Sequence, residues 1–225
     1  MSRVVVVTGG AKGIGRAVAE RFAGDRVEAV GHEALDVTDE DAVAAFFERI
    51  GAVDVLVNNA GYAEGAPLTR ITLESWRRHL DVNATGAFLC TRAVLQGMLE
   101  RDAGRIVTVA STAGLRGARY TAAYTAAKHA AVGLMRATAA EVAGTGVTAN
   151  AVCPGWVRTA MMERAVERIA ATTERNEEQA EAALVAQMPL GRVLEADEVA
   201  EAVWFLASPE AAAINGQALV LDGGG

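Results

Sequence analysis

The chain holds 225 residues, 52% of them hydrophobic, with a formal net charge of -7, which is enough apolar material for one large core. The charge is dispersed, and no basic stripe could neutralise successive phosphates, so nucleic acid is excluded as an expected partner. Nowhere do 18 apolar residues run unbroken, the N-terminus shows no secretory pattern, and Cys90 and Cys153 stand outside any metal-ligand spacing; a cytoplasmic protein with no membrane span, no metal and two buried free thiols is expected.

Short valine-rich runs alternate with longer alanine-rich amphipathic stretches, the pattern of a parallel sheet with helices on both faces. The first strand is predicted over 3–8 and runs into "TGGAKGIGRA", where Gly9, Gly13 and Gly15 permit a tight strand-to-helix turn and close backbone approach to a pyrophosphate. A helix over 13–23 then points its N-terminus at that anion. A second strand is expected over 27–31. The next apolar run, "EALDV", follows almost at once, too soon for the crossover that neighbouring parallel strands require. The helix after the second strand is therefore expected to be deleted, with Leu35 to Val37 forming at most a short, irregular edge segment. A helix over 39–50 resumes the pattern, capped by Thr38 or Asp39 and carrying Glu40 and Asp41 at the positive end of its dipole.

A strand over 53–57 leads into Asn58, Asn59, Ala60 and Gly61, small and polar residues against which a cofactor can lie. One long helix is predicted over 72–101, then a strand over 105–110 that ends at Ser111, then a helix over 121–143 that carries Tyr124 and Lys128. Positions i and i+4 share a helix face. A phenol with an ordinary pKa of about 10 is a poor acid or base at neutral pH, but an adjacent ammonium stabilises phenolate, so Lys128 can tune Tyr124. Ser111 could hold a substrate oxygen while Tyr124 exchanges the proton. A strand over 147–152 precedes "PGWVRT", and helices over 160–187 and 196–206 and a strand over 217–221 complete the pattern. Such sheets bind ligands beyond the carboxyl ends of their strands, where these motifs fall. The chain reads as one doubly wound, Rossmann-type α/β domain over residues 1–225.

Taken in order, "TGGAKGIG", "NNAG", "DVNATG", "VTVAS", "YTAAK" and "NAVCPGWVRT" make the sequence resemble the short-chain dehydrogenases/reductases over about residues 3 to 222. The resemblance implies interconversion of a ketone and a secondary alcohol with NAD(H) or NADP(H). It implies that Tyr124 is the proton donor or acceptor, that Ser111 positions the reacting oxygen, and that Lys128 binds the nicotinamide ribose and lowers the Tyr124 pKa. Asn83 matches the residue that holds a water linking Lys128 to solvent. Gly9, Gly13, Ile14 and Gly15 fall at the pyrophosphate, Asp36 and Val37 beside the adenine, and Asn59 and Gly61 near the adenosine ribose. Pro154, Gly155, Val157 and Thr159 fall around the nicotinamide. A non-catalytic dinucleotide sensor or scaffold on the same fold is the alternative, since fold does not fix function.

Gly31 stands where NAD-preferring relatives carry an acid, Lys12 stands where many NADP-dependent relatives carry a base, and His32 follows Gly31. NADP(H) is therefore favoured over NAD(H), with Lys12 and His32 as partners of the 2'-phosphate; Glu33 argues the other way, because a small shift would let it bind the ribose of NAD. Residues 160–190 match the family's substrate lid, with Met161, Met162 and Trp156 as a candidate apolar wall. Their length is similar to that in 3-hydroxybutyrate dehydrogenases and polyketide ketoreductases, which implies a 3-oxo or 3-hydroxy acyl substrate or a similarly compact ketone. Arg116 and Arg119, between Ser111 and Tyr124, are candidates to meet an anionic group, with a solvated loop charge as the plainer role. Asp102 and Thr145 occupy positions where carrier-protein reductases of the family place bases, so free or CoA-linked substrates are expected. The alanine-rich 121–143 helix and the 72–101 helix are expected at the interface of a homodimer or homotetramer.

Overall fold

The valine runs form strands because β-branched side chains fit a pleated surface and are too few per run for a helix. A computed structural model, which describes residues 2–224, contains β1 (Val4–Thr8), β2 (Arg26–Val30), β3 (Val55–Asn58), β4 (Gly104–Val109), β5 (Val147–Pro154) and β6 (Ala218–Leu221). They form one parallel sheet in the order β2-β1-β3-β4-β5-β6. The direction of winding reverses between β1 and β3, which makes the crevice between their carboxyl ends the expected ligand site.

Alternation along the strands assigns the two faces. Val6, Leu56 and Ile106 join one core with α2 (Glu40–Ile50), α4 (Gly86–Glu100) and α5 (Ala122–Glu141). Val5, Val7, Val55 and Val57 join the other with α1 (Gly13–Arg21) and α8 (Ala196–Leu206). Val5, Val6 and Val7 are wholly buried, each contributing about 1.5–3 kcal/mol relative to exposure.

Between β2 and α2 there is neither helix nor strand. Ala34 N and Leu35 N both donate to Gly31 O at 3.0 Å, and Asp39 N donates to Asp36 O at 3.2 Å, so the joint is a succession of turns. Leu35 and Val37 are buried in the first core. A side chain on Gly86 would place its Cβ 2.6 Å from Val37 Cγ2, so Val37 fills the space that this glycine leaves. The joint ends where Asp39 accepts from Ala42 N at 3.0 Å and caps α2.

Two expected helices are divided. The 72–101 helix consists of α3 (Leu73–Leu80) and α4, joined without a break by a π turn at Asp81–Thr85. The 160–187 helix is two, α6 (Ala160–Thr172) and α7 (Glu177–Val185). The polar run between them has helix-forming composition, but Thr172 and Thr173 hydroxyls turn back onto Arg168 O and Ile169 O at 2.7 Å. Asn176 then starts α7 through a reciprocal cap with Gln179. Local hydroxyl and amide bonds outcompete helix continuation here.

α6 and α7 share a small core of their own, Met162, Val166, Ala180, Leu184 and Val193, against which Trp156 packs. Met162 is buried in that packing.

If the shortened joint is a core element, Leu35→Ala should destabilise the fold by about 2–5 kcal/mol, as buried leucines do. Urea unfolding measures this, and a loss below about 1 kcal/mol would reduce the joint to a surface loop.

Candidate active site

At the switch point the ends of β1 and β3 are bonded side chain to backbone. Thr8 Oγ1 accepts from Asn59 N at 3.0 Å and Ala60 N at 3.1 Å, and donates to Val57 O at 3.3 Å. Asn59 Nδ2 donates back to Thr8 O at 2.9 Å and Gly9 O at 3.1 Å. The Asn59 amide thus braces the glycine turn. Gly9 and Gly13 have φ of 65° and 52°, and a Cβ on Gly9 would sit 2.9 Å from Ala60 Cα. A side chain on Gly15 would run into Gly9 O and Asn59 Nδ2.

α1 begins directly behind this turn, with no side-chain cap and no acid in its first turn. Its first N–H groups and dipole therefore offer themselves to an anion, and the bare glycine backbone leaves room for a pyrophosphate. Gly9, Gly13, Ile14 and Gly15 fit a dinucleotide on these grounds.

Beyond the turn, Gly10 N donates to Val30 O at 2.9 Å, and a Cβ on Gly31 would lie 3.0 Å from Ala11 Cβ. Lys12 and His32 therefore flank one edge of the crevice. Lys12 is exposed, and no carboxylate among the described residues pairs with it. His32 Nδ1 stands 3.9 Å from Asp36 Oδ1. Asp36 also accepts from Thr38 N at 2.9 Å and Thr38 Oγ1 at 2.7 Å; these hydrogen bonds, with His32 adding less, hold its carboxyl below the usual range. Val37 is in the core beneath.

The chemical centre lies across β4 and β5. Ser111, just past β4, accepts from Ala113 N at 3.1 Å and acts on the phenol of Tyr124 on α5, whose charged form it favours. Lys128, one turn on, is buried, and its Nζ donates to Val109 O at 2.9 Å. Burial pushes the Tyr124 phenol up to about 12, opposed by the Ser111 hydrogen bond. It pulls the Lys128 ammonium down to about 8. The expected lowering of the phenol pKa by Lys128 is not among these causes: Nζ sits 5.8 Å from the ring centre and is engaged with a carbonyl. The neighbouring Cys153 thiol is also pushed up by burial, so it carries no charge into the site.

Asn83 sits in the π turn, a distortion that often marks functional positions. Its Nδ2 donates to Tyr62 O at 2.8 Å and His79 O at 2.9 Å, and its Oδ1 accepts from Tyr62 N at 3.3 Å. A Cβ on Gly61 would stand 3.2 Å from Asn83 Oδ1 and 3.8 Å from Lys128 Nζ, so Gly61 lies between them. His79 is wholly buried: Nδ1 must donate to Ser75 O at 2.7 Å, and Nε2 accepts from Glu64 N at 3.0 Å. The sequence reading passed over Tyr62, Glu64 and His79, which carry no local motif.

"PGWVRT" closes the other side. Gly155 N donates to Leu221 O at 2.9 Å, and a Cβ there would collide with Met188 Sδ. Val157 is buried and bridges to Leu194. Thr159 returns to the glycine turn, its Cγ2 3.3 Å from where a Cβ on Gly13 would be. Arg116 does not await an anionic ligand, since it is paired at 2.8 Å with the buried Asp222. Arg119 lies over Tyr120, its Cζ 5.3 Å from the ring centre.

A protein-family profile described as "Enoyl-(Acyl carrier protein) reductase" matches residues 24–225. The chain is 38% identical to the 3-oxoacyl-[acyl-carrier-protein] reductase FabG of Vibrio cholerae, over 99% of this chain and 96% of that one. It is 37% identical to an acetoacetyl-CoA reductase of Shinella zoogloeoides, over 100% and 98%. A crystal structure of a single-residue variant of actinorhodin polyketide ketoreductase with NADPH superposes with a TM-score of 0.91 at 38% identity, covering 99% and 97% of the two chains. The two sequence alignments span 246 and 247 positions against the 225 residues present here, so these relatives carry residues that this chain lacks, in keeping with its shortened joint after β2. Fold, motif order and near-complete coverage agree that the chain belongs to the short-chain dehydrogenase/reductase family.

Proposed function

We propose that the protein is an NADP(H)-dependent ketoreductase that interconverts a small ketone, of the 3-oxo/3-hydroxy acyl type or similarly compact, with its secondary alcohol. The observation that carries this reading is the grouping of Ser111 at the end of β4 with Tyr124 and a buried Lys128, whose Nζ stands 5.8 Å from the Tyr124 ring centre, on a sheet whose first glycine turn leads into an uncapped helix. Two donors converging on one point suit a carbonyl oxygen that gains negative charge. The bound nicotinamide supplies or takes up the hydride.

The chain's own residues perform the rest. Ser111 orients the substrate oxygen, and Tyr124 gives it a proton in reduction or takes one in oxidation. With its pKa pushed up to about 12, Tyr124 holds its proton at neutral pH and is set as an acid. Lys128 holds the nicotinamide ribose, and Asn83, fixed by the backbone of residue 62, leads the replacement proton towards Lys128. A sensor or scaffold would have no need of this complete set. α6 and α7 form the substrate lid.

The actinorhodin relative was solved with NADPH, and the edge beside Gly31 has no acid facing Lys12 among the described contacts. Lys12 is the principal partner of the 2'-phosphate; His32 is a weaker one because Asp36 shares it. Asp102 and Thr145 are not basic, and they bond Gly146 N and Val142 O. Free or CoA-linked substrates are thus preferred to carrier-bound ones, and a carrier-bound 3-oxoacyl group that turns over faster than its CoA ester would reverse this. A cytoplasmic setting suits two free, buried thiols.

Along the outside of α5, Ala126, Ala130, Gly133 and Ala137 leave a shallow face, and Phe88 of α4 is exposed. These helices are the proposed interface of a homodimer or homotetramer. Light scattering at micromolar concentration should report at least a dimer; a monomer refutes the assignment.

Tyr124→Phe should leave the circular dichroism spectrum and cofactor affinity close to wild type while turnover falls by about 10²–10⁴, the usual contribution of a positioned proton donor. Retention of more than a tenth of the activity would remove Tyr124 from its role. Lys12→Ala should weaken NADPH binding about 10- to 150-fold and leave NADH binding nearly unchanged, since a charge-assisted phosphate contact contributes about 1.5–3 kcal/mol. Titration of reduced-nicotinamide fluorescence reads both, and equal effects on the two cofactors would place the 2'-phosphate elsewhere.

A further inference from the structure

The backbone of residue 62 sets the Asn83 amide from both sides, so whatever fixes residue 62 fixes Asn83. The Tyr62 ring lies against His79, centroids 4.7 Å apart, and Arg78 Cζ stands 4.3 Å from the Tyr62 ring centre. The Tyr62 hydroxyl donates to Glu64 Oε2 at 2.6 Å. Glu64 N donates to His79 Nε2, and the carbonyl of that same His79 accepts from Asn83 Nδ2. Residues 62, 64, 79 and 83 therefore form one closed hydrogen-bonded unit.

The other oxygen of Glu64 leaves this unit for the lid. Oε1 meets Arg168 Nη1 of α6 at 3.1 Å, and the same nitrogen donates to Gly65 O at 3.1 Å. Hydrogen bonds from Tyr62 and then Arg168 keep the Glu64 carboxyl below the usual range, so it is charged at neutral pH. Ala66 N donates to Tyr120 O at 2.8 Å, which joins the segment to the loop before α5. Tyr120 has a φ of 65°, a conformation that a bulky residue adopts only when its surroundings hold it there. Three borders of the site, the segment after β3, the loop before α5 and the lid helix, thus meet at residues 62–66. Nothing else in the described contacts connects α6 to Asn83 through side chains.

We propose that Glu64 is a positioning residue that couples lid helix α6 to Asn83, so that seating the lid and setting the proton path are one event. This rests on the reading of α6 as substrate lid and of Asn83 as part of the proton path. Glu64 touches no reacting atom. It acts through the Tyr62 hydroxyl on one side and Arg168 on the other.

The test uses the full chain with Arg168→Gln, Tyr62→Phe and the double variant. All three replace partly exposed groups, so the fold should persist. A partly exposed ion pair contributes about 0.2–1 kcal/mol, so each single variant should lower kcat/KM about two- to fivefold, with kcat falling as well as KM rising. The double variant should be no worse than the poorer single one, because both cut the same connection. Arg168→Lys, which can still pair with Glu64, should recover most of the loss. Amide hydrogen exchange gives a readout independent of turnover: Arg168→Gln should speed exchange in residues 61–66 as well as in α6. Faster exchange in α6 alone, or multiplicative losses in the double variant, overturns the coupling. If no ketone is reduced by the wild type, the functional reading fails, while the exchange result still decides whether Glu64 joins the two elements.

Discussion

One buried hydroxyl, Thr8 Oγ1, holds together the two strands between which the sheet changes direction. It takes N–H groups from Asn59 and Ala60 and gives its proton to Val57 O. A parallel sheet has no ladder bond beyond the ends of its strands, so these N–H groups would otherwise be unsatisfied as β1 and β3 diverge. With them bonded, the chain after β3 lies against the turn after β1 closely enough that Gly9 and Gly15 have no room for side chains. The bare backbone and the uncapped start of α1 follow from that approach. So does the position of Gly61, which the same segment carries to within 3.8 Å of Lys128 Nζ, measured from its hypothetical Cβ.

At the chemical centre, burial is the larger effect and partners are the smaller. It moves Tyr124 up to about 12 and Lys128 down to about 8, both towards neutrality, as a low-dielectric site must. Val109 O gives the Lys128 head a partner at 2.9 Å, and Ser111 partly offsets the effect of burial on the phenol. A phenol held neutral in this way keeps its proton at neutral pH. It becomes a better base when positive charge near it is strengthened.

Much of this was legible in the sequence because it is local. Gly9, Gly13 and Gly15 sit inside one turn, Tyr124 and Lys128 one helical turn apart, and Ser111 and Asn59 directly after strands, where the sheet's geometry puts ligands. The parts that escaped are non-local or depend on balance. Glu64 and Arg168 are 104 residues apart, and Arg116 and Asp222 are 106; no spacing announces either pair. The π turn at Asp81–Thr85 keeps the helical hydrophobic pattern on both sides and is invisible to periodicity. The gap between α6 and α7 was hidden because threonine hydroxyls that bond backwards look, in composition alone, like ordinary helix residues. The direction of the Tyr124 shift also escaped, since spacing says that Lys128 is near but says nothing of how much water is lost.

The shortened passage after β2 affects both stability and cofactor choice. Without a further strand outside it, β2 is left as the edge of a parallel sheet, where unpaired N–H and C=O groups invite association. Its sequence answers with alternating charge, Arg26 and Glu28 paired at 3.0 Å on one side of the strand. The turns that replace the missing segment stay folded because Leu35 and Val37 are drawn into the core, and Asp36, between them, faces outward to Thr38 and His32. This alternation fixes the polar groups along the joint: Asp36 accepts from Thr38 on its own turn, Glu33 is exposed on the turn before it, and Gly31 brings no carboxylate to the place where β2 meets the glycine loop. The cation beside that place, Lys12, therefore faces no fixed rival anion, which is the electrostatic condition for accepting a phosphate.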